Sequence, residues 1–150
     1  ITERAKNMNQ QALDKLYIDI ADRVSQESKA IRAKVGAVLV QGTNIVAYGW
    51  NGTPRGMDNS CEVEIDGQLV TKPTVIHAEL NAIAKIAAQG GEGLAGSTLY
   101  VTLSPCVECC KLLAQVGISR VVYRDQYRDL SGVDVLTSMN VNVEKFNANS

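Results

Sequence analysis

No apolar run in this chain reaches the roughly 18–20 residues that a helical membrane span needs, and the opening Ile1-Thr2-Glu3-Arg4 carries no signal-like apolar core. A membrane partner is therefore not expected, and a soluble cytoplasmic protein is. The stretch before Met8 is assigned no function. There is no excess of either charge, since 15 basic residues face 16 acidic ones for a net charge of −1, and no block of Lys and Arg stands out. Phosphate contacts supply most of the affinity for a polyanion, so this balance argues against a nucleic-acid partner and for a small substrate. A disulfide framework is also missing. Of the four cysteines, Cys106, Cys109 and Cys110 crowd into five residues, a spacing that fits metal binding better than cross-linking. Histidine is scarcer still: His77 is the only one.

With 150 residues and 45% hydrophobic content, residues 1–150 suit one domain with a real core. Leu13, Leu16, Tyr17, Ile20, Ala21 and Val24 recur at helical steps and predict an amphipathic helix over about residues 10–29. Val35–Val40 and Ile45–Tyr48, joined by Gln41-Gly42-Thr43-Asn44, read as a hairpin. Asn51 to Val75, rich in Gly, Pro, Asn and charge, reads as a long loop, and such loops are often functional. A helix follows from His77 and stops at Gln89-Gly90-Gly91. Then come a strand over Ser97–Leu103, a helix from Cys106 closed by Gly117, a strand at Arg120–Tyr123, a short helix over Asp129–Met139 and a closing strand at Val141–Phe146. Helical crossovers between strands are right-handed and parallel, so the last three strands should run parallel. The expected fold is a three-layer α/β domain, one mixed five-stranded sheet with helices on both faces.

His77 and the Cys106-Val107-Glu108-Cys109 run offer one imidazole and two thiolates. Three ligands hold a zinc ion with its fourth tetrahedral position open, the pattern of a catalytic rather than a structural site. Both motifs fall in the predicted first turn of a helix, where unpaired N–H groups favour thiolates. Each such helix is expected to spring from the end of a strand, where open α/β sheets place their sites. Glu79, two residues after the imidazole, is placed to move protons without ligating. The arrangement His-x-Glu followed by Pro-Cys-x-x-Cys predicts a deaminase in which a zinc-activated hydroxide attacks C4 of a cytosine. A redox Cys-x-x-Cys is the main competing reading of the thiols. Cys110 points away from that pair and reads as a small buried residue.

The segments His77-Ala78-Glu79-Leu80-Asn81-Ala82-Ile83, Leu99-Tyr100-Val101-Thr102-Leu103-Ser104-Pro105-Cys106 and Gly49-Trp50-Asn51-Gly52-Thr53-Pro54 resemble those of the deoxycytidylate (dCMP) deaminases, bacteriophage type, within the cytidine deaminase-like zinc-dependent superfamily. The likeness runs from about Val24 to Tyr127. It implies hydrolysis of dCMP to dUMP and ammonia with one Zn2+ per subunit, in the host cytoplasm if phage-encoded. It also implies a homohexamer activated by dCTP and inhibited by dTTP, with Mg2+ accompanying the effector triphosphate. By position it implies His77, Cys106 and Cys109 as zinc ligands and Glu79 as the proton shuttle. Asn51 would hold the sugar 3′-hydroxyl, the Ala78 backbone and Ser104 would lie beside the base, and Tyr127 would lie near the nucleotide, in its own subunit or a neighbour's. A monophosphate needs cations or N–H donors; Arg124 and Arg128, flanking Tyr127, are candidates, as is Lys34. Lys34, Gly52 and Arg55 are candidates for the effector triphosphate, glycine allowing close N–H approach and Arg55 adding charge. Cys61 lacks the companions that hold a second zinc in some phage relatives, so no second zinc is expected. Two alternatives remain: a transfer-RNA adenosine or other deaminase with the same zinc set, and a nucleotide sensor without turnover, in which Glu79 would have no role.

Overall fold

The computed structural model describes residues 3–91 and 93–148. Its elements run α1 (Glu3–Ser25), β1 (Gly36–Gln41), β2 (Asn44–Trp50), β3 (Glu62–Ile65), β4 (Gln68–Thr71), α2 (Ala78–Gln89), β5 (Thr98–Leu103), α3 (Val107–Gln115), β6 (Arg120–Asp125), α4 (Ser131–Ser138) and β7 (Asn142–Lys145). The main sheet has the order β2-β1-β5-β6-β7. β1 is antiparallel to β2 and β5, while β5, β6 and β7 are parallel, as the helical crossovers require.

Residues alternate across the central strands because successive side chains point to opposite faces. Ala37, Leu39, Leu99, Val101, Val121 and Tyr123 pack with Ala78, Ala82, Cys110, Leu113 and Leu136 of α2, α3 and α4. Val38, Val40, Tyr100 and Val122 pack instead with Tyr17, Ile18 and Ala21 of α1. Both faces of β1 and β5 are thus covered, which is why these strands read as nearly unbroken hydrophobic runs. A partly buried ion network ties α1 to the sheet: Arg120 binds Asp14 at 2.7 Å and the exposed Glu144 at 2.5 Å, and Tyr100 donates to Asp14 at 2.6 Å.

Two expectations need correcting. α1 begins at Glu3 and ends at Ser25, not at about 10 and 29; its polar first turns carry no apolar stripe, and residues 26–28 continue only as i→i−3 turns. The stretch before Met8 is, from Glu3 on, part of that helix, whereas Ile1 and Thr2 lie outside the described residues. The segment from Asn51 to Val75 is not all loop, because β3 and β4 form a separate hairpin within it. Its turn, Asp66-Gly67, has φ of 51° and 79°, the doubly left-handed backbone of a tight hairpin turn. The ends of this segment are pinned by backbone bonds between Gly52 and Ile76 at 2.8 and 3.1 Å. No helix among the described residues is long and apolar enough to cross a membrane.

Candidate active site

The site is assembled from two helix starts. His77 immediately precedes α2 and Cys106 immediately precedes α3, each with extended backbone, so both are N-cap residues rather than members of the first turn. Neither side chain makes a capping hydrogen bond, although Ser, Thr, Asp or Asn would stabilise either helix there. These two caps are given up to another use. Cys109 lies one turn into α3, on the same side as Cys106.

The three donor atoms lie within 4.8 Å of one another. His77 Nδ1 stands 3.1 Å from Cys109 Sγ and 3.5 Å from Cys106 Sγ. Zinc bonds of about 2.0 Å to nitrogen and 2.3 Å to sulfur, spread tetrahedrally, place such donors about 3.5–3.8 Å apart, so the group fits the ion. The two thiols are shifted in opposite directions. Hydrogen bonding from Cys109, then from His77, holds Cys106 down at about 3, a thiolate at neutral pH. Cys109 is raised because its thiol donates to Cys106 and is buried. His77 is raised chiefly by its contact with Cys106.

Glu79, in the first turn of α2, is 3% exposed. Burial pushes its carboxyl above the ordinary range, against the pull of its own backbone N–H and His77. A carboxyl raised toward neutrality can both take and give a proton. Asn81 fixes this helix start by donating to Trp50 O at 2.8 Å.

His77, Glu79 and Cys106 open onto a cavity of about 270 Å³, whose walls also include Asn51, Ala78, Ser104 and Tyr127. Asn51 holds the wall itself: Oδ1 accepts from Val35 N–H at 2.9 Å and Nδ2 donates to Ala33 O at 2.8 Å, leaving one N–H spare. Ser104 Oγ accepts the Tyr127 backbone N–H at 2.7 Å, which sets that aromatic against the cavity.

The family is decided by sequence comparison on this frame. The family described as "Cytidine and deoxycytidylate deaminase zinc-binding region" matches residues 11–125. The chain belongs to this deaminase family. It is 36% identical to the deoxycytidylate deaminase of Enterobacteria phage T4, over 87% of this chain and 86% of that one. It is 38% identical to the human deoxycytidylate deaminase, over 75% of this chain and 65% of that one. A crystal structure of the dCMP deaminase from cyanophage S-TIM5 in complex with dCMP and dUMP superposes with a TM-score of 0.81 at 43% identity, covering 97% and 98% of the two chains. The protein is thus a zinc-dependent deaminase of cytidine deaminase-like fold.

Several cations proposed from the sequence of this deaminase lie elsewhere. Arg124 turns to Asp22 at 2.5 Å and Asp125 at 3.0 Å, outside the cavity, so its charge is already matched. Arg128, Lys34 and Arg55 are exposed and do not line the cavity either. The Gly52 N–H is taken by Ile76 O. The α2 donor helix also follows the β3–β4 hairpin rather than a strand of the main sheet; only α3 springs from one, β5. Reading the sequence missed Arg32, the one Lys or Arg among the residues lining the cavity. Its only signal was position, just ahead of the first strand. Cys110 is buried as expected, its thiol pushed up to about 12 by burial. All four cysteines are free.

Proposed function

We propose that this chain, acting as one deaminase domain, converts dCMP to dUMP and ammonia. The observation that carries the reading is one cavity lined by His77, Cys106 and buried Glu79 and also by Arg32, the one Lys or Arg among its lining residues. His77, Cys106 and Cys109 would hold the zinc ion, which when bound would lower the pKa of a water to about 7 and so supply a nucleophile near neutral pH. Glu79 takes one proton from the attacking water and places it on N3 of the cytosine ring, then takes the second from the hydroxyl left on C4 and gives it to the amino nitrogen as the C4–N bond breaks and ammonia departs. Asn51 offers its spare N–H to the sugar 3′-hydroxyl. Ala78 and Ser104 border the base, and Tyr127 closes the wall from within the same chain. Arg32 binds the 5′-phosphate, replacing Arg124 in that role, since a guanidinium matches phosphate geometry with paired N–H groups. The T4-phage and human relatives are named for this activity, and the S-TIM5 complex holds this substrate and product.

Control by dCTP and dTTP, with Mg2+ on the triphosphate, and hexameric assembly belong to the same reading. Their support is the family resemblance together with the exposure of Lys34 and Arg55 away from the cavity. The test is ammonia release by the zinc-loaded protein offered dCMP, deoxycytidine, dCTP, cytidine and adenosine. Release is expected with dCMP well ahead of the rest. Preference for adenosine would move the chain to the transfer-RNA-type reaction, and silence with all five would leave a nucleotide sensor.

A further inference from the structure

The β3–β4 hairpin grips Arg32 at two points. Glu62 and Thr71 face each other across its base rung, and both line the cavity. Glu62 is 7% exposed and its Oε2 accepts the backbone N–H groups of Ile31 at 2.9 Å and Arg32 at 3.0 Å. Thr71 Oγ1 accepts from the Arg32 guanidinium at 3.0 Å. A further backbone bond, Lys72 N–H to Cys61 O at 2.8 Å, stiffens that base.

The choice of partners has an electrostatic consequence. The buried carboxylate is satisfied by peptide N–H groups, and the guanidinium is steadied by a neutral hydroxyl. No ion pair therefore cancels the Arg32 charge among the described residues, whereas Arg120 and Arg124 are each matched by two carboxylates. An arginine left free would lose rotamer freedom on meeting its ligand; one already held loses less and binds better.

We infer that the hairpin is a specificity element for the phosphate end of the substrate, with Glu62 and Thr71 as positioning residues that hold Arg32, charged and pre-oriented, at the cavity. This rests on Arg32 being the phosphate-binding residue. Glu62 acts through Arg32, so its contribution exists only for a phosphorylated substrate and only while Arg32 is present.

The test is a double-mutant cycle on the zinc-loaded enzyme, with dCMP and deoxycytidine as substrates. Arg32→Ala should raise KM for dCMP about 10- to 100-fold, the range for losing hydrogen bonds to a charged group, and leave kcat/KM for deoxycytidine within about 2-fold. Glu62→Ala should raise KM for dCMP about 10-fold with kcat nearly unchanged, Glu62→Gln should recover most of that, and Thr71→Val should cost about 3-fold. In the Arg32→Ala background all three should add nothing. If Arg32→Ala leaves KM for dCMP untouched, the phosphate assignment itself fails. If Arg32→Ala acts as expected but Glu62→Ala or Thr71→Val costs as much without Arg32 as with it, or harms deoxycytidine equally, the positioning role is overturned while the assignment stands. Thr71→Val, which preserves shape and β-branching, decides the matter even should Glu62→Ala fail to fold.

Discussion

Two parts of the cavity wall are built differently. In the first, His77 and Cys106 sit at the mouths of helices whose other residues, Ala78, Ala82, Cys110 and Leu113, belong to the main core. In the second, Arg32 is held by a two-stranded hairpin outside the main sheet, whose outer residues Val63, Ile65 and Val70 are 43%, 51% and 39% exposed. A hairpin of this size is marginal without packing, so it depends on the few polar bonds at its base. The donor group is tied to the core, whereas the proposed phosphate contact hangs on an appendage outside the main sheet. On that proposal, disruption of the first should remove turnover, and disruption of the second should alter which substrate is preferred.

The largest effect is expected at Glu79. Glu79→Gln keeps the shape but cannot move protons, so kcat should fall about 10²- to 10⁴-fold while bound zinc per chain, measured by elemental analysis, stays at the parent level. Zinc lost along with activity would mean the carboxylate belongs to the metal shell. Next comes Gly132→Ala on α4, whose added Cβ would lie 2.5 Å from Pro105 O and 2.9 Å from the Cys106 carbonyl carbon. Overpacking of this kind costs about 1–3 kcal/mol, and here it pushes directly on a donor; reduced zinc content with an unchanged circular-dichroism spectrum is the expected outcome.

Asp14→Asn supplies a control outside the cavity wall. It should lower stability by about 2 kcal/mol at neutral pH, as for lost hydrogen bonds to a charged group, because Glu144 still pairs with Arg120, and it should not change zinc content or KM for dCMP. Burial pushes the Asp14 carboxyl up, but hydrogen bonds from Arg120, Tyr100 and Gln10 prevail and hold it below its ordinary 3.8. A lowered folded value means that its contribution is complete above 3.8 and fades as pH falls through the lower folded value. Denaturation curves of parent and variant should therefore converge only on acidification through that window. The smallest effect belongs to the hairpin's outer face. Val63→Thr and Ile65→Thr should each shift stability by no more than about 0.5 kcal/mol and leave the dCMP to deoxycytidine preference alone, since neither touches Arg32. A larger change would show that this face is covered in the working protein.

The donor set was legible because zinc chemistry imposes spacing: the i, i+3 thiols and the imidazole two residues before a carboxylate can be read off the chain. The parallel strands were legible because β5, α3, β6, α4 and β7 alternate in order. The β3–β4 hairpin was hidden by its charge, although Glu62-Val63-Glu64-Ile65 and Gln68-Leu69-Val70-Thr71 alternate around Asp66-Gly67, a strong hairpin signal that was read as loop composition. Arg124 misled because its partner Asp22 lies on α1, a contact fixed by tertiary packing alone. Arg32 was passed over because nothing local distinguishes a cation that lines a cavity from one on a solvated surface.

Ser104, Pro105 and Cys106 follow one another where β5 ends, and Ser104 Oγ fastens the Tyr127 backbone at 2.7 Å. Three consecutive residues thereby act as a ruler between the aromatic wall and the metal donors. Pro105, with its fixed φ, is the single step between the two, so a shift at either end of the tripeptide is felt at the other.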